Sequence, residues 1–353
     1  MSVNKKNIYD LTKKDLKDFI KNKKIKLFRV NQIWNWLYVK GSKSFFDMNN
    51  LSNDIITLFD RNFSISLLEV KKSYTSEDGT KKWLFKLKDN REIETVFIPE
   101  GKRGTICVSS QVGCSLSCSF CHTGTMKLER NLELEEILGQ IITVKFFLED
   151  WKRKTEEKKV TNIVFMGMGE PLLNYNNVIN SINILCDTEG LAISKRKITL
   201  STSGIVNKIK DFQRDTDVNL AVSLHAAFDD IRDELVPVNK KWPIARLFKE
   251  LEVYNSSERK KRITFEYIML EGVNDSIKDA KQLIKLISPL KSKVNLIPFN
   301  PWPDSTYNVS SPEKINNFKK FILENGKIIA TIRIPRGDDI LAACGQLKSL
   351  NQK

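Results

Sequence analysis

The chain has 353 residues, 41 % of them apolar, enough for one large domain and a small one without disulfides or structural metals to staple them. No run of eighteen apolar residues occurs and the opening MSVNKKNIYDLTKK has no apolar segment, which argues against a membrane span or a secretory signal and for a reducing cytosol. A net charge of +15 and a pI near 9.4 point to an acidic polymer as partner, with RNA or DNA ahead of a membrane surface. The first hundred residues hold 20 Lys or Arg against 13 Asp or Glu, nearly half of that surplus.

Residues 1–62 read as a small helical accessory domain that binds RNA. Leu16, Ile20 and Ile25 mark one segment, and Ile33, Trp36 and Leu37 recur at helical spacing in a second. LSNDIITLF, from Leu51, offers Ser52 or Asn53 as cap for a third. Trp34 and Trp36 are expected in the core rather than stacked on bases. Residues 63–103 turn to strand patterning: KKWLFKLKDNREIETVFIPE is two alternating runs joined at Asp89-Asn90, a β-hairpin extension. Glu94, the one charge between Ile93 and Ile98, either faces solvent from an edge strand or sits in a pocket as an acid or base.

From 104 to 353 strand and helix alternate, which argues for a parallel α/β architecture. Strands are expected at 105–110, 161–166, 197–202, 218–223, 262–270 and 294–299, with a seventh near 327–335. Helices fall between them, including LELEEILGQIITVKFFLED, an asparagine-capped VINSINIL and SIKDAKQLIKLI. Six such units make a partial (β/α)6 TIM-like barrel. WKRKTEEKKV at 151–160 reads as an exposed loop.

The most informative stretch is CVSSQVGCSLSCSFCHTG, residues 107–124. Cys114, Cys118 and Cys121 in C-x3-C-x2-C spacing let three thiolates from one loop converge on a metal centre. Iron-sulfur clusters usually take four cysteines, so three leave one iron open to a small molecule. His122 would complete a Cys3His zinc site instead, but structural zinc ligands normally come as separated pairs. In a parallel α/β barrel the loops after the strands share one face. There the sequence places Met166-Gly-Met-Gly169-Glu170-Pro171, whose glycines admit close backbone approach and whose carboxylate suits a ligand ammonium. It also places Ser201-Thr-Ser-Gly, Ser223-Leu224-His225 and Pro298-Phe-Asn300-Pro there.

Taken together, the cysteine loop followed by the Gly-Glu turn resembles the radical S-adenosylmethionine superfamily. ICVSSQVGC, FMGMGEPLLN, STSG, VSLHA, VNLIPFNP and RGDDILAACGQL further resemble its RNA methyltransferases that act on carbon 2 of adenosine, in the same order from about residue 25 to 347. The resemblance implies a [4Fe-4S] cluster on Cys114, Cys118 and Cys121. It implies two molecules of S-adenosylmethionine per turnover, bound by Gly169, Glu170, Ser201, Ser223, Leu224, His225 and Asn300. One would methylate Cys344; the other would yield the radical that activates the S-methyl group for addition to the base. The resemblance makes Glu94 the proton acceptor and gives Cys107 a transient disulfide with Cys344 as product leaves. Residues alone also allow Cys344 to be a small buried residue beside two alanines, and Cys186 reads as helix core. The implied partners are 23S ribosomal RNA in the peptidyl-transferase region, tRNA 3′ of the anticodon, and a cytosolic electron donor such as flavodoxin. The enzyme would act as a monomer in the cytoplasm, with no membrane. The rival readings are the sister type that methylates carbon 8 and confers antibiotic resistance, a radical enzyme with another substrate, and a zinc-containing RNA-binding protein without catalysis.

Overall fold

The computed structural model describes residues 5–152, 157–256 and 261–349. Three short helices open it: α1 (Lys13–Asn22), α2 (Arg29–Tyr38) and α3 (Asn53–Asn62). Thr12 and Asp15 close a capping box at α1, and Leu16 and Ile20 bury its apolar stripe. Ser52 precedes α3 as expected but makes no capping hydrogen bond. Trp34 is buried, as its helical spacing predicts. Trp36 is only half-buried: its Nε1 donates to Asn50 at 2.7 Å and the Lys40 ammonium lies 3.6 Å over its ring. The helices are fastened to the rest through Lys13 with Asp187 (2.9 Å) and Asn31 with Glu189 (2.9 Å).

One ten-stranded sheet carries the remainder: β1 (Glu69–Thr75), β2 (Lys81–Lys86), β3 (Glu92–Glu100), β4 (Arg103–Cys107), β5 (Asn162–Phe165), β6 (Ile198–Thr202), β7 (Asn219–Ser223), β8 (Ile263–Met269), β9 (Ser292–Pro298) and β10 (Ile329–Ile332). Each strand pairs with its neighbours in sequence, so the sheet runs from β1 to β10 without a crossover in order. The β1–β4 part is antiparallel and the β4–β10 part parallel. All seven parallel strands fall where alternation predicts them. Their connecting helices, among them α4 (Leu134–Phe147), α5 (Tyr175–Cys186), α6 (Val206–Asp215), α7 (Asp229–Leu235), α8 (Ile244–Ser256), α9 (Ile277–Ile287) and α10 (Pro312–Gly326), complete a partial α/β barrel. No pairing joins β10 to β1 among the described residues, so the barrel stays open on one side.

The Asp89-Asn90 hairpin turn forms, with Asn90 in the left-handed region at φ 67°. Its strands do not stand apart, because β3 pairs with β4 and so continues the barrel sheet, and β1 adds a third antiparallel strand that sequence patterning does not single out. Asn174 departs from expectation. It precedes α5 but caps nothing, since its Nδ2 donates to the carbonyls of Ser110 (2.9 Å) and Leu132 (2.7 Å) on either side of the cysteine loop. Of the basic run at 151–160, residues 153–156 lie outside the described residues.

Candidate active site

Leaving β4, the chain pairs Gln111–Val112 antiparallel with Arg130–Asn131, and this clasp isolates the cysteine loop between them. Gly124 sits so close beneath Cys118 that an added Cβ would lie 2.3 Å from its carbonyl oxygen, so the loop can coil this tightly only with glycine there. Cys114, Cys118 and Cys121 line one cavity. Burial drives the Cys114 thiol up to about 12, and Cys118 well above the ordinary cysteine value, with the neighbouring thiols adding to the latter.

Such thiols call for a cation to hold them deprotonated, and three cysteines on one loop suit a cluster with one iron left open. His122 is engaged elsewhere: it stacks on Trp302 with ring centres 4.6 Å apart, and its Nδ1 lies 3.3 Å from the Gln346 carbonyl. His122 does not line the cavity that the three thiols line.

The strand ends supply the rest of this cavity. Gly169 adopts φ 91°, and a Cβ there would lie 2.4 Å from Gln111. Glu170 lines the cavity but is tied to the protein: Oε1 accepts from Leu172 N at 3.0 Å and Oε2 from Ser203 N at 2.8 Å, which couples the loops after β5 and β6. Burial raises its carboxyl to about 7. Ser201 and Ser223 face each other with hydroxyls 3.3 Å apart. His225, at φ 60°, accepts from Ile268 N through Nδ1 at 3.1 Å, and burial pulls it down to about 3, so it is neutral. Leu224 lines neither cavity and contributes only its backbone; its carbonyl accepts from Arg232 Nε at 3.0 Å. Arg232, fully buried, also donates to the carbonyls of Ser203 (2.7 Å) and Ser223 (3.3 Å), which ties the loop after β6 to the end of β7.

Cys344 reaches this cavity from the other end of the chain. The carbonyls of Gly345, Gln346 and Leu347 face the cysteine loop: His122 N donates to Gly345 at 2.7 Å and Thr123 Oγ1 to Leu347 at 2.5 Å. Asn300 Nδ2 donates to the Cys344 carbonyl at 3.0 Å, and Gln346 Nε2 to Pro301 O at 2.7 Å. Cys344 is exposed to solvent and borders two cavities. One is the cysteine-lined cavity. The other, larger and more polar, extends into the barrel and takes in Cys107 and Asn300, while Glu266 and Arg333, like Cys344, border both. Dense surroundings raise the Cys344 thiol while the Arg333 guanidinium opposes that rise; burial pushes Cys107 up to about 12.

Glu94 stands one layer back and lines neither cavity. Of its two expected placements the buried one holds, because β3 is an interior strand. Its carboxylate pairs with Lys82 at 2.9 Å and accepts from Lys348 N at 2.9 Å, while Lys82 also reaches the Leu341 carbonyl at 3.1 Å. Cys186 ends α5, half-buried and outside both cavities. Sequence reasoning misses Glu266, Arg333 and Arg232. The first two carry a signal it could have used, a single charge inside an apolar strand pattern, whereas Arg232 lies on a polar helix and carries none.

Fold and loop together define a class, an open α/β barrel whose strand ends surround a three-cysteine cluster loop. Comparison with known proteins agrees. Residues 108–286 match the Radical SAM superfamily and residues 6–65 the ribosomal RNA large subunit methyltransferase N-terminal domain. A protein of Brucella melitensis biotype 2 named dual-specificity RNA methyltransferase RlmN is 50 % identical over 339 residues, covering 92 % of this chain and 82 % of its own. One of the same name from a Bradyrhizobium species is 49 % identical over 334 residues, covering 92 % and 83 %. The crystal structure of a radical SAM methyltransferase from Sphaerobacter thermophilus superposes with a TM-score of 0.90 at 39 % identity, covering 97 % of this chain and 99 % of that one. The chain belongs to the RlmN family of radical SAM methyltransferases. It is an enzyme, and a [4Fe-4S] cluster and S-adenosylmethionine are the cofactors its family implies.

Proposed function

We propose that this enzyme methylates carbon 2 of adenosine in RNA, in 23S ribosomal RNA and at the tRNA position 3′ of the anticodon, using Cys344 as the methyl carrier. The observation that carries the reading is Cys344 itself, a thiol beyond the cluster's three that opens on the cysteine-lined cavity and shares a second cavity with Cys107. Cys114, Cys118 and Cys121 hold the cluster, Gly169, Glu170, Ser201, Ser223 and His225 line the cofactor's cavity with Leu224 adding backbone behind them, and Asn300 reaches the cofactor from beside the Cys344 carbonyl. When bound, these groups supply an electrophilic methyl and a hydrogen-abstracting radical, two S-adenosylmethionine molecules being used per turnover.

The chain's own residues do the rest. Cys344 sulfur takes up the methyl as a thioether, then presents its carbon to the ring. Glu94, paired with Lys82 one layer behind the cavity, turns from that partner toward the base to accept the carbon 2 proton; burial raises its carboxyl and so favours the protonated product. Cys107 sulfur attacks Cys344 sulfur and closes a disulfide as the carbon–sulfur bond breaks; the electron pair stays on the methylene carbon, which takes up a proton to become the methyl group, and a cytosolic thiol reductant reopens the disulfide. Electrons come from a cytosolic donor such as flavodoxin. Residues 1–62 provide a basic arm for phosphate backbone, 63–103 carry Glu94, and 104–353 form the catalytic barrel of a cytoplasmic monomer.

Mass analysis of the Cys344 peptide with and without S-adenosylmethionine tests the carrier: an added methyl group is expected, and an unmodified thiol would refute it. Nucleoside mass spectrometry of treated RNA is expected to show 2-methyladenosine, and an 8-methyl product would transfer the chain to the sister type.

A further inference from the structure

We infer that the polar cavity shared by Cys107 and Cys344 is the pocket for the acceptor nucleotide, and that Glu266 in its wall reads the 6-amino group of the base. This rests on the proposed function and adds to it a place and a reader. Glu266 lies in mid-β8, in register with Ser223 on β7 and Asn295 on β9, and is 4 % exposed. Its Oε1 accepts from Asn295 Nδ2 at 3.0 Å, and its Oε2 accepts no hydrogen bond among the described residues. A buried carboxylate oxygen without a donor is costly, and such groups are normally satisfied. Glu266 lines the space beside Cys344, so a ligand there could donate to it.

The chemistry of the wall says which ligand. Arg103, Lys293, Arg333 and Arg336 face this cavity against Glu100 and Glu266, a surplus of positive charge that suits a phosphate-bearing ligand and opposes a sulfonium. A carboxylate accepts from the amino group of adenine but repels the O6 of guanine and the O4 of uracil. The cavity reaches exposed residues, Arg103 at the start of β4 and Ile334 just beyond β10, and β10 has no outer partner among the described residues. A nucleotide drawn out of its stack can enter there and bring its base up to Cys344.

The test compares RNA hairpins carrying adenosine or purine riboside, which lacks the 6-amino group, at the target position. Wild-type enzyme is expected to prefer adenosine about tenfold or more in kcat/KM, and Glu266→Gln, which keeps the shape but loses the charge-assisted bond, about threefold or less. Glu266→Leu should abolish the preference. Lys293→Ala should raise KM for RNA and lower the slope of affinity against salt by about one. An unchanged preference in Glu266→Gln would overturn the inference. So would a rise in KM for S-adenosylmethionine alone, since that would put the carboxylate on the cofactor. Wild-type enzyme that methylates both hairpins equally refutes the reader while the proposed function stands; wild-type enzyme that methylates neither, with Cys344 unmodified, refutes both.

Discussion

Cys114, Cys118 and Cys121 sit within eight residues of one another in a loop clasped at its base by one short strand pair, whereas Cys107 and Cys344 arrive from the first barrel strand and the C-terminal segment. Glycine turns and the clasp hold the first group, so its geometry is local. The second depends on Gly345, Gln346 and Leu347 bonding to the cysteine loop, on Asn300, and on Lys82 and Glu94 from the antiparallel strands. A local constellation survives damage elsewhere. One assembled from four parts of the chain loses its aim when any anchor fails.

That difference can be broken at its strongest point first. Replacing any of the three loop cysteines by alanine should remove iron and all turnover, with the fold intact by circular dichroism; iron analysis of anaerobically prepared protein checks this. Cys344→Ala should keep the iron and its absorption yet transfer no methyl to RNA. Cys107→Ala should keep the iron and methylate Cys344 but retain RNA covalently, visible as a slow band on denaturing gels that nuclease removes. Both outcomes depend on the two thiol groups being separable.

Smaller effects sharpen the contrast. Glu170 belongs to the local side, and its carboxyl is raised from 4.5 to about 7 by burial. Its protonated form therefore stabilises the metal-free protein fully below about pH 4.5, and this contribution, about 3 kcal/mol, is lost as pH rises through 7. Denaturant melts of metal-free wild type should show that decline and Glu170→Gln should lack it. Gln346→Ala removes three bonds from the C-terminal anchor, Nε2 to Pro301 O and to Asp338 Oδ1, both at 2.7 Å, and Ala343 N to Oε1 at 3.0 Å. It should slow methyl transfer to RNA about tenfold through misplacement of Cys344, with iron content unchanged in the same preparation.

Much of this site was legible before any fold was known because motif and geometry coincide where few residues intervene. The cysteine loop is one case; the Gly169-Glu170 turn and the Ser223-His225 strand end are others. What Glu94 does with its charge was not legible, since its partner Lys82 lies across a strand pair and Lys348 near the far terminus. Asn174 looked like a cap, but two carbonyls flanking the cysteine loop engage it first. Glu266 and Arg333 were overlooked because their strands matter by their apolar neighbours, and only the closing sheet turns those two charges inward.

By itself the sequence determined the alternation of strands and helices, the cluster loop and the helical unit at the front, because periodicity, glycine and cysteine spacing act over a few residues. Tertiary structure alone decided that a C-terminal thiol faces a loop some two thirds of the chain away and that lone charges meet in one polar cavity. Those placements come from hydrogen bonds and burial between segments distant in sequence, and no local pattern encodes them.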